Sequence, residues 1–181
     1  MLDAAEFQEA QDISVAVRAN PVALEILENA TAFEQSIFTE DFETGIKTKV
    51  RTDIGIGDRI YDLKTTKNAN VRSFAASIRS FRYDVQAAFY MDQRNNAGIQ
   101  TNMFGFIAVD TVDKPYQCTV FHSLTEEAIE QGRAEYTANL KLYAECLESN
   151  EWPGYPESYD LISPAGHAWD IEEYDPDETN D

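Results

Sequence analysis

The chain is poor in the residues that build metal clusters and cross membranes. Its two cysteines, Cys118 and Cys146, lie far apart with no second ligand beside either. A zinc or iron–sulfur site wants clustered cysteines, usually in C-x-x-C pairs. Both are therefore expected to be reduced, semi-buried thiols. Histidine is as scarce: there are two, His122 after an expected strand and His167 in a turn-rich stretch, and both are read as structural. No window approaches the roughly 18 consecutive apolar residues of a membrane span. The N-terminal run MLDAAEFQEAQD is acidic and lacks the basic-then-apolar pattern of a secretory leader, so a cytoplasmic protein is expected. Positive charge is also short, with 14 Lys and Arg against 33 Asp and Glu, a net of −19. Taken as a whole, that balance argues against a nucleic-acid partner.

What is present is unevenly distributed. Residues 1–45 hold ten acids and one base, and residues 101–169 hold eleven acids and three bases. Residues 46–100 hold ten bases and five acids, ten minus five giving a local net of +5. Three of those five acids, Asp53, Asp58 and Asp62, cluster around one short strand pair. A basic segment wrapped around a few carboxylates is what phosphate binding plus metal binding requires. The 43% hydrophobic and 12% aromatic content over 181 residues predicts one globular domain with a sizeable core.

The apolar spacing Phe7, Ala10, Ile13, Val17 predicts an amphipathic helix over 2–18. Asn20-Pro21 then reads as an N-cap and a first-turn proline opening a short helix over 21–29. From Ala32 the period drops to two. Strands are expected from Ala32 and over 46–54 and 59–65, forming an antiparallel meander broken by Gly45, Gly55 and Gly57. Residues 71–95 are helical in pattern, with a break near Tyr83. Strands over 101–110 and 116–121 and a long helix over 125–149 follow. The order α-α-β-β-β-α-β-β-α predicts an α/β fold with a mixed central sheet flanked by helices. The domain is placed at 1–169. The last twelve residues, with seven acids and no base, are expected to be a disordered tail.

The chemistry lies in KVRTD, ending at Asp53, and YDLKTT, from Tyr61 to Thr66. On a strand, Asp62 and Lys64 point the same way, about 6.6 Å apart, with Leu63 facing the opposite side. Asp53 ends the neighbouring strand and can reach the same spot across the hairpin. Two carboxylates that close repel unless a divalent cation sits between them. Mg²⁺ suits such a pair, because it is held by one or two carboxylates plus waters and phosphate oxygens. Lys64 would then act on the attacking water and offset charge growing on the phosphate. Glu34, on the first strand, is a candidate third carboxylate. Gln86 and Tyr90, spaced i, i+4 on a helix, face one side and are candidates to hold the lysine, a metal-bound water or a phosphate. Lys49, Arg51, Lys67, Arg72, Arg79 and Arg82 are candidate contacts to a DNA backbone.

The segments AFEQSIF, GIKTKVRTD, DLKTTKNA and FRYDVQAAFY, together with FGFIAVD, the helix Glu126 to Glu148 and WPGY at Trp152 to Tyr155, carry a family resemblance. They resemble the RecE-type exonucleases (the exonuclease VIII nuclease domain), a RecB-like branch of the PD-(D/E)XK nucleases common in phages and prophages. The likeness spans nearly the whole chain except the acidic tail. It implies a restriction-endonuclease-like core and Mg²⁺- or Mn²⁺-dependent hydrolysis of DNA. It makes Glu34, Asp53, Asp62 and the backbone carbonyl of Leu63 the metal set, Lys64 the catalytic lysine, and Gln86 and Tyr90 the Q-x-x-x-Y pair. It further implies attack on duplex ends from the 5′ side, a ring-shaped homo-oligomer, and a single-strand annealing protein as partner. RecB-like members place a histidine ligand on a helix upstream of the first strand, and this chain has none there. Either a preceding portion is missing or separately encoded, or the site works with carboxylates alone. A binding protein built on the same fold and a structure-specific endonuclease are the alternative readings.

Overall fold

A computed structural model describes residues 3–155. The expected domain limit at 169, the tail 170–181 and His167 lie outside the described residues. The elements run α1 (Ala4–Ala19), α2 (Pro21–Glu28), β1 (Ala32–Glu40), β2 (Lys47–Ile56), β3 (Arg59–Thr66), α3 (Val71–Phe81), α4 (Tyr83–Asn96), β4 (Met103–Asp110), β5 (Gln117–Phe121) and α5 (Glu126–Ser149). This is the expected order, with the helix over 71–95 split in two. Among the described residues no helix is long and apolar enough to cross a membrane.

The sheet has strand order β1-β2-β3-β4-β5. β1–β2, β2–β3 and β4–β5 pair antiparallel, and β3–β4 pairs parallel. A parallel neighbour needs a long crossover, and α3 with α4 supplies it. Side chains alternate across the sheet, so each of its faces has its own core. On one face Ile60, Phe104, Phe106 and Ala108 pack with Phe74 of α3, with Ala87, Ala88 and Met91 of α4 and with Ile129 of α5. On the other, Tyr61, Ile107 and Val109 pack with Ala16 and Val17 of α1 and Ala23 and Ile26 of α2. Asp62 and Lys64 share the parity of Ile60 and so face the α3–α4 layer.

Local chemistry sets the helix ends. Asp3 and Glu6 close a capping box on α1. Asn20 Oδ1 accepts from the Val22 and Ala23 amides, each at 3.0 Å, and its Nδ2 donates to the Cys118 carbonyl at 2.8 Å, which ties the α1–α2 corner to β5. Arg82 takes a left-handed conformation, φ 52° and ψ 48°, and divides α3 from α4. One expectation for α1 is corrected: Phe7 and Ala10 are exposed, and only Ala16 and Val17 of the helix are buried. In the N-terminal half of the helix, apolar residues at core spacing stand exposed.

α5 lies against α4 at Gly132. A Cβ there would stand 2.3 Å from the Asp84 carbonyl oxygen and 2.9 Å from the Val85 nitrogen, both backbone atoms that cannot step aside. Gly132→Ala is therefore expected to lower stability by about 1–3 kcal/mol despite alanine's better helix propensity. A urea midpoint at or above that of the wild type would contradict this close approach.

Candidate active site

β2 and β3 run as a ladder only from Ile56–Arg59 to Ile54–Tyr61. The next opposed residues are Asp53 and Asp62, and there the strands part while β3 continues along β4 to Thr66. Leu63 would be left with an unpaired amide on its β2 side. The Asp53 carboxylate accepts that N–H at 3.0 Å through Oδ2, closing the gap with a charged group in place of a strand. The carboxylates of Asp53 and Asp62 thus stand at the mouth of a split in the sheet. Burial raises the Asp53 carboxyl above its ordinary range; the Leu63 amide works against this, and the nearby charges of Asp62 and Glu34 add to it.

Asp62 is 5% exposed. Its Oδ1 accepts from Gln86 Nε2 at 2.7 Å, and its Oδ2 forms an ion pair with Lys64 Nζ at 2.6 Å. The direction of that pair does not make it a hydrogen bond, and no other group donates to the buried Oδ2. Gln86 Oε1 in turn accepts from Lys64 Nζ at 3.1 Å. One amide thus holds both the carboxylate and the ammonium in place. Lys64 Nζ also stands over the Tyr83 ring, 4.5 Å from its centroid. Tyr90 completes the group: burial first, then the charges of Asp62 and Asp53, push its hydroxyl above the ordinary phenol range.

Residues 1–164 of the chain match the family described as a PDDEXK-like domain of unknown function (DUF3799). The chain belongs to this PDDEXK-like family. Among solved structures, it is similar to the crystal structure of a "Putative exonuclease" from Eubacterium rectale, with a TM-score of 0.56 and 19% identity. That match covers 85% of this chain and 64% of the other, so the chain spans somewhat under two thirds of that relative. At such identity the likeness speaks to the fold, which is the expected mixed sheet flanked by helices. No curated protein matches the chain.

Asp53, Asp62, Lys64, Gln86 and Tyr90 all meet at this one place in the PDDEXK-like fold. Glu34 stands beside this group, close enough for its charge to act on Asp53, with its carboxylate turned to Arg51. It lies in β1 between Phe33, paired with Ile54, and Gln35, paired with Thr52, which puts it opposite Asp53. Its backbone is left-handed at φ 49°, and its carboxylate pairs with Arg51 at 2.6 Å, both side chains more than half exposed. Among the described residues, no three His, Cys, Asp or Glu are gathered so as to hold a metal ion. The Asp53–Asp62 pair still fits a hydrated divalent ion, because Asp62 carries a buried oxygen that no hydrogen bond satisfies and Mg²⁺ needs only one or two protein carboxylates.

The candidate DNA contacts divide by environment. Lys49 lies over the Phe38 ring at 5.4 Å, and Arg51 holds Glu34. Lys67, Arg72 and Arg79 are exposed, whereas Arg82 is engaged with Asp84 and Glu135 between α4 and α5. Arg94 is 3% exposed, where it donates to Thr101 and Gln35, so the local excess of positive charge is only partly at the surface. His122 accepts or donates at 3.1 Å with the Tyr61 hydroxyl, a structural contact on the far side of β3. Burial pushes the Cys118 thiol up to about 11, and Cys146 is buried. Tyr83 was not among the expected site residues. Its position three residues before Gln86 on the same helix face was the available signal.

The raised Asp53 carboxyl has a stability consequence. The unfolded chain ionises first, so the penalty is absent below the ordinary carboxylate range. It grows as pH rises and is complete above the folded-state value. Asp53→Asn, whose amide oxygen can still accept from Leu63, is expected to raise the melting temperature of the metal-free protein at neutral pH and to leave it unchanged in acid. Thermal melts across pH test this, and a lower neutral-pH melting temperature for the variant would refute it.

Proposed function

We propose that this chain is a Mg²⁺- or Mn²⁺-dependent deoxyribonuclease that degrades duplex DNA from its ends. The observation that carries the reading is the buried Asp62 carboxylate, shared between Lys64 and Gln86 beside a second carboxylate at a split in the sheet. A bound cation would be held by Asp53, Asp62 and the Leu63 carbonyl, and would supply Lewis-acid stabilisation of the phosphate. The remaining work falls to protein groups. Lys64, steered by Gln86 and floored by Tyr83, donates to the attacking water and to a phosphate oxygen as negative charge builds there. The water oxygen bonds to phosphorus, the phosphorus–oxygen bond to the sugar breaks, the water loses its proton to solvent and the departing oxygen gains one. Asp62 keeps the ammonium in position throughout.

Polarity from the 5′ side, release of 3′ overhangs to an annealing protein, a ring-shaped homo-oligomer, a role in phage recombination and a cytoplasmic site of action extend this reading by resemblance to the RecE-type enzymes. End-labelled linear DNA and the same DNA as a closed circle, each with and without Mn²⁺, test the core of it. Loss of the linear substrate alone, only with metal, is expected. Cutting of the circle would make the protein an endonuclease. Absence of cutting on both would favour a DNA- or protein-binding member of the fold, a reading to which the net charge of −19 inclines.

DNA binding should depend on salt in a way that counts its contacts. Lys47, Lys49 and Arg51 alternate along one side of β2, and Lys67, Arg72 and Arg79 follow β3. Each phosphate neutralised contributes about one unit to the log–log salt slope, so four or five contacts give a slope of about −4 to −5. Removing 170–181 is expected to leave binding unchanged or tighten it. Binding that ignores salt would defeat the DNA assignment.

A further inference from the structure

Beside the catalytic group lies a cavity of about 470 Å³ whose lining has a consistent chemistry. Asp62, Lys64 and Thr66 share one face of β3, and the cavity begins where that row ends. It is lined by Thr65, Thr66, Lys67, Ser73, Ser77 and Thr111 on its polar side and by Phe74, Phe81 and Tyr83 on its aromatic side. No carboxylate lines it, in a protein carrying 33 acids. The Lys67 ammonium has no carboxylate partner among the described residues, and neither the Thr65 nor the Thr111 hydroxyl is bonded to protein there. Phe81 is 67% exposed and stacks on Tyr83 with centroids 5.6 Å apart and planes 24° apart, which offers a flat apolar surface to solvent. Tyr83 is the same ring that floors Lys64, so cavity and reacting centre share a wall.

We propose that this cavity is a nucleotide subsite: it takes the terminal nucleoside of the strand being cut, and a free nucleoside monophosphate of the same chemistry. The base stacks on the Phe81–Tyr83 surface, since any base has a face to stack and an exposed ring to meet it. The hydroxyls receive the sugar, and Lys67 receives a phosphate oxygen. A volume within the ~300–1,000 Å³ range of small-ligand sites is ample for one nucleotide. This assignment rests on the nuclease reading of the neighbouring carboxylates, and it makes end-directed cutting and inhibition by released mononucleotide two results of one site.

Calorimetric titration of the metal-free protein with deoxyadenosine monophosphate, and in parallel with deoxyribose 5-phosphate, tests the subsite without requiring activity. Phe81→Ala and Lys67→Ala alter exposed side chains and spare the core. Deoxyadenosine monophosphate is expected to bind the wild type, and to bind each variant about tenfold or more weakly. Deoxyribose 5-phosphate should lose affinity only in Lys67→Ala. No binding to the wild type, affinity unchanged in both variants, or loss in Lys67→Ala alone would each overturn the nucleoside subsite. A parallel Mn²⁺ cleavage assay separates the two proposals. Cleavage with mononucleotide binding indifferent to both variants sinks the subsite and keeps the nuclease. Binding with the expected losses but no cleavage does the reverse.

Discussion

Lys64→Ala is expected to lower the rate of DNA cleavage by about a thousandfold while changing DNA affinity and Mn²⁺ affinity by no more than a few fold. The asymmetry follows from what Lys64 touches. Its ammonium is held by Asp62 at 2.6 Å and Gln86 at 3.1 Å, leaving its donor capacity for a group that arrives with the substrate. Interactions that strengthen only as charge builds on the phosphate act on the chemical step, so the effect falls on kcat and not on binding. Gln86→Ala should give a smaller loss, because it frees Lys64 without removing it. Lys64→Arg should not restore the rate, since a guanidinium spreads its charge over a planar fork and cannot present the compact ammonium charge to Asp62, Gln86 and the phosphate at once. Single-turnover cleavage with saturating protein isolates the step. A wild-type rate in Lys64→Ala would refute the mechanism while leaving the fold untouched.

Local signals were strong enough to read nearly every element, because they were chemical as well as periodic. Asn20-Pro21 marked a helix start through a cap that the structure forms with two amides. Alternation marked β2, and the helix break near Tyr83 falls at the left-handed Arg82. The D-x-K spacing on β3 and the i, i+4 spacing of Gln86 and Tyr90 set which faces these residues share, but not that the two faces meet. That meeting depends on the crossover carrying α4 back over β3, a long-range fact. Three things were not readable. The bare first half of α1 has an apolar pattern that periodicity cannot distinguish from a covered one. The partners of Arg82 and Arg94 come from elsewhere in the chain, so counting bases overstated the surface charge. The left-handed backbone of Glu34 and its pairing with Arg51 follow from how β1 lies against β2, and nothing in AFEQSIF signals a departure from extended backbone.

Asp62→Ala is expected to abolish Mn²⁺ binding in calorimetric titration, with cleavage lost alongside it. The reasoning starts from the cost of the site in the metal-free protein. A carboxylate that is 5% exposed has one oxygen bonded to Gln86 and the other held only by the Lys64 charge, while Asp53 stands near enough to feel its field. Such an arrangement is unfavourable on electrostatic grounds and becomes favourable when a cation enters between the two carboxylates. Removing Asp62 deletes half of the anionic pair and strands Lys64 without its counter-charge, which repels an incoming ion. Asp53→Ala should weaken Mn²⁺ binding as well, but also expose the Leu63 amide, so part of its effect appears as lost stability. Glu34→Gln distinguishes two arrangements of the site. If the ion is held by two carboxylates, affinity changes little and Arg51 merely loses its partner. If Glu34 leaves Arg51 to become a third ligand, affinity falls by about tenfold or more, in the range seen when a supporting ligand is lost. Unchanged Mn²⁺ affinity in Asp62→Ala would remove the metal site from this cleft altogether.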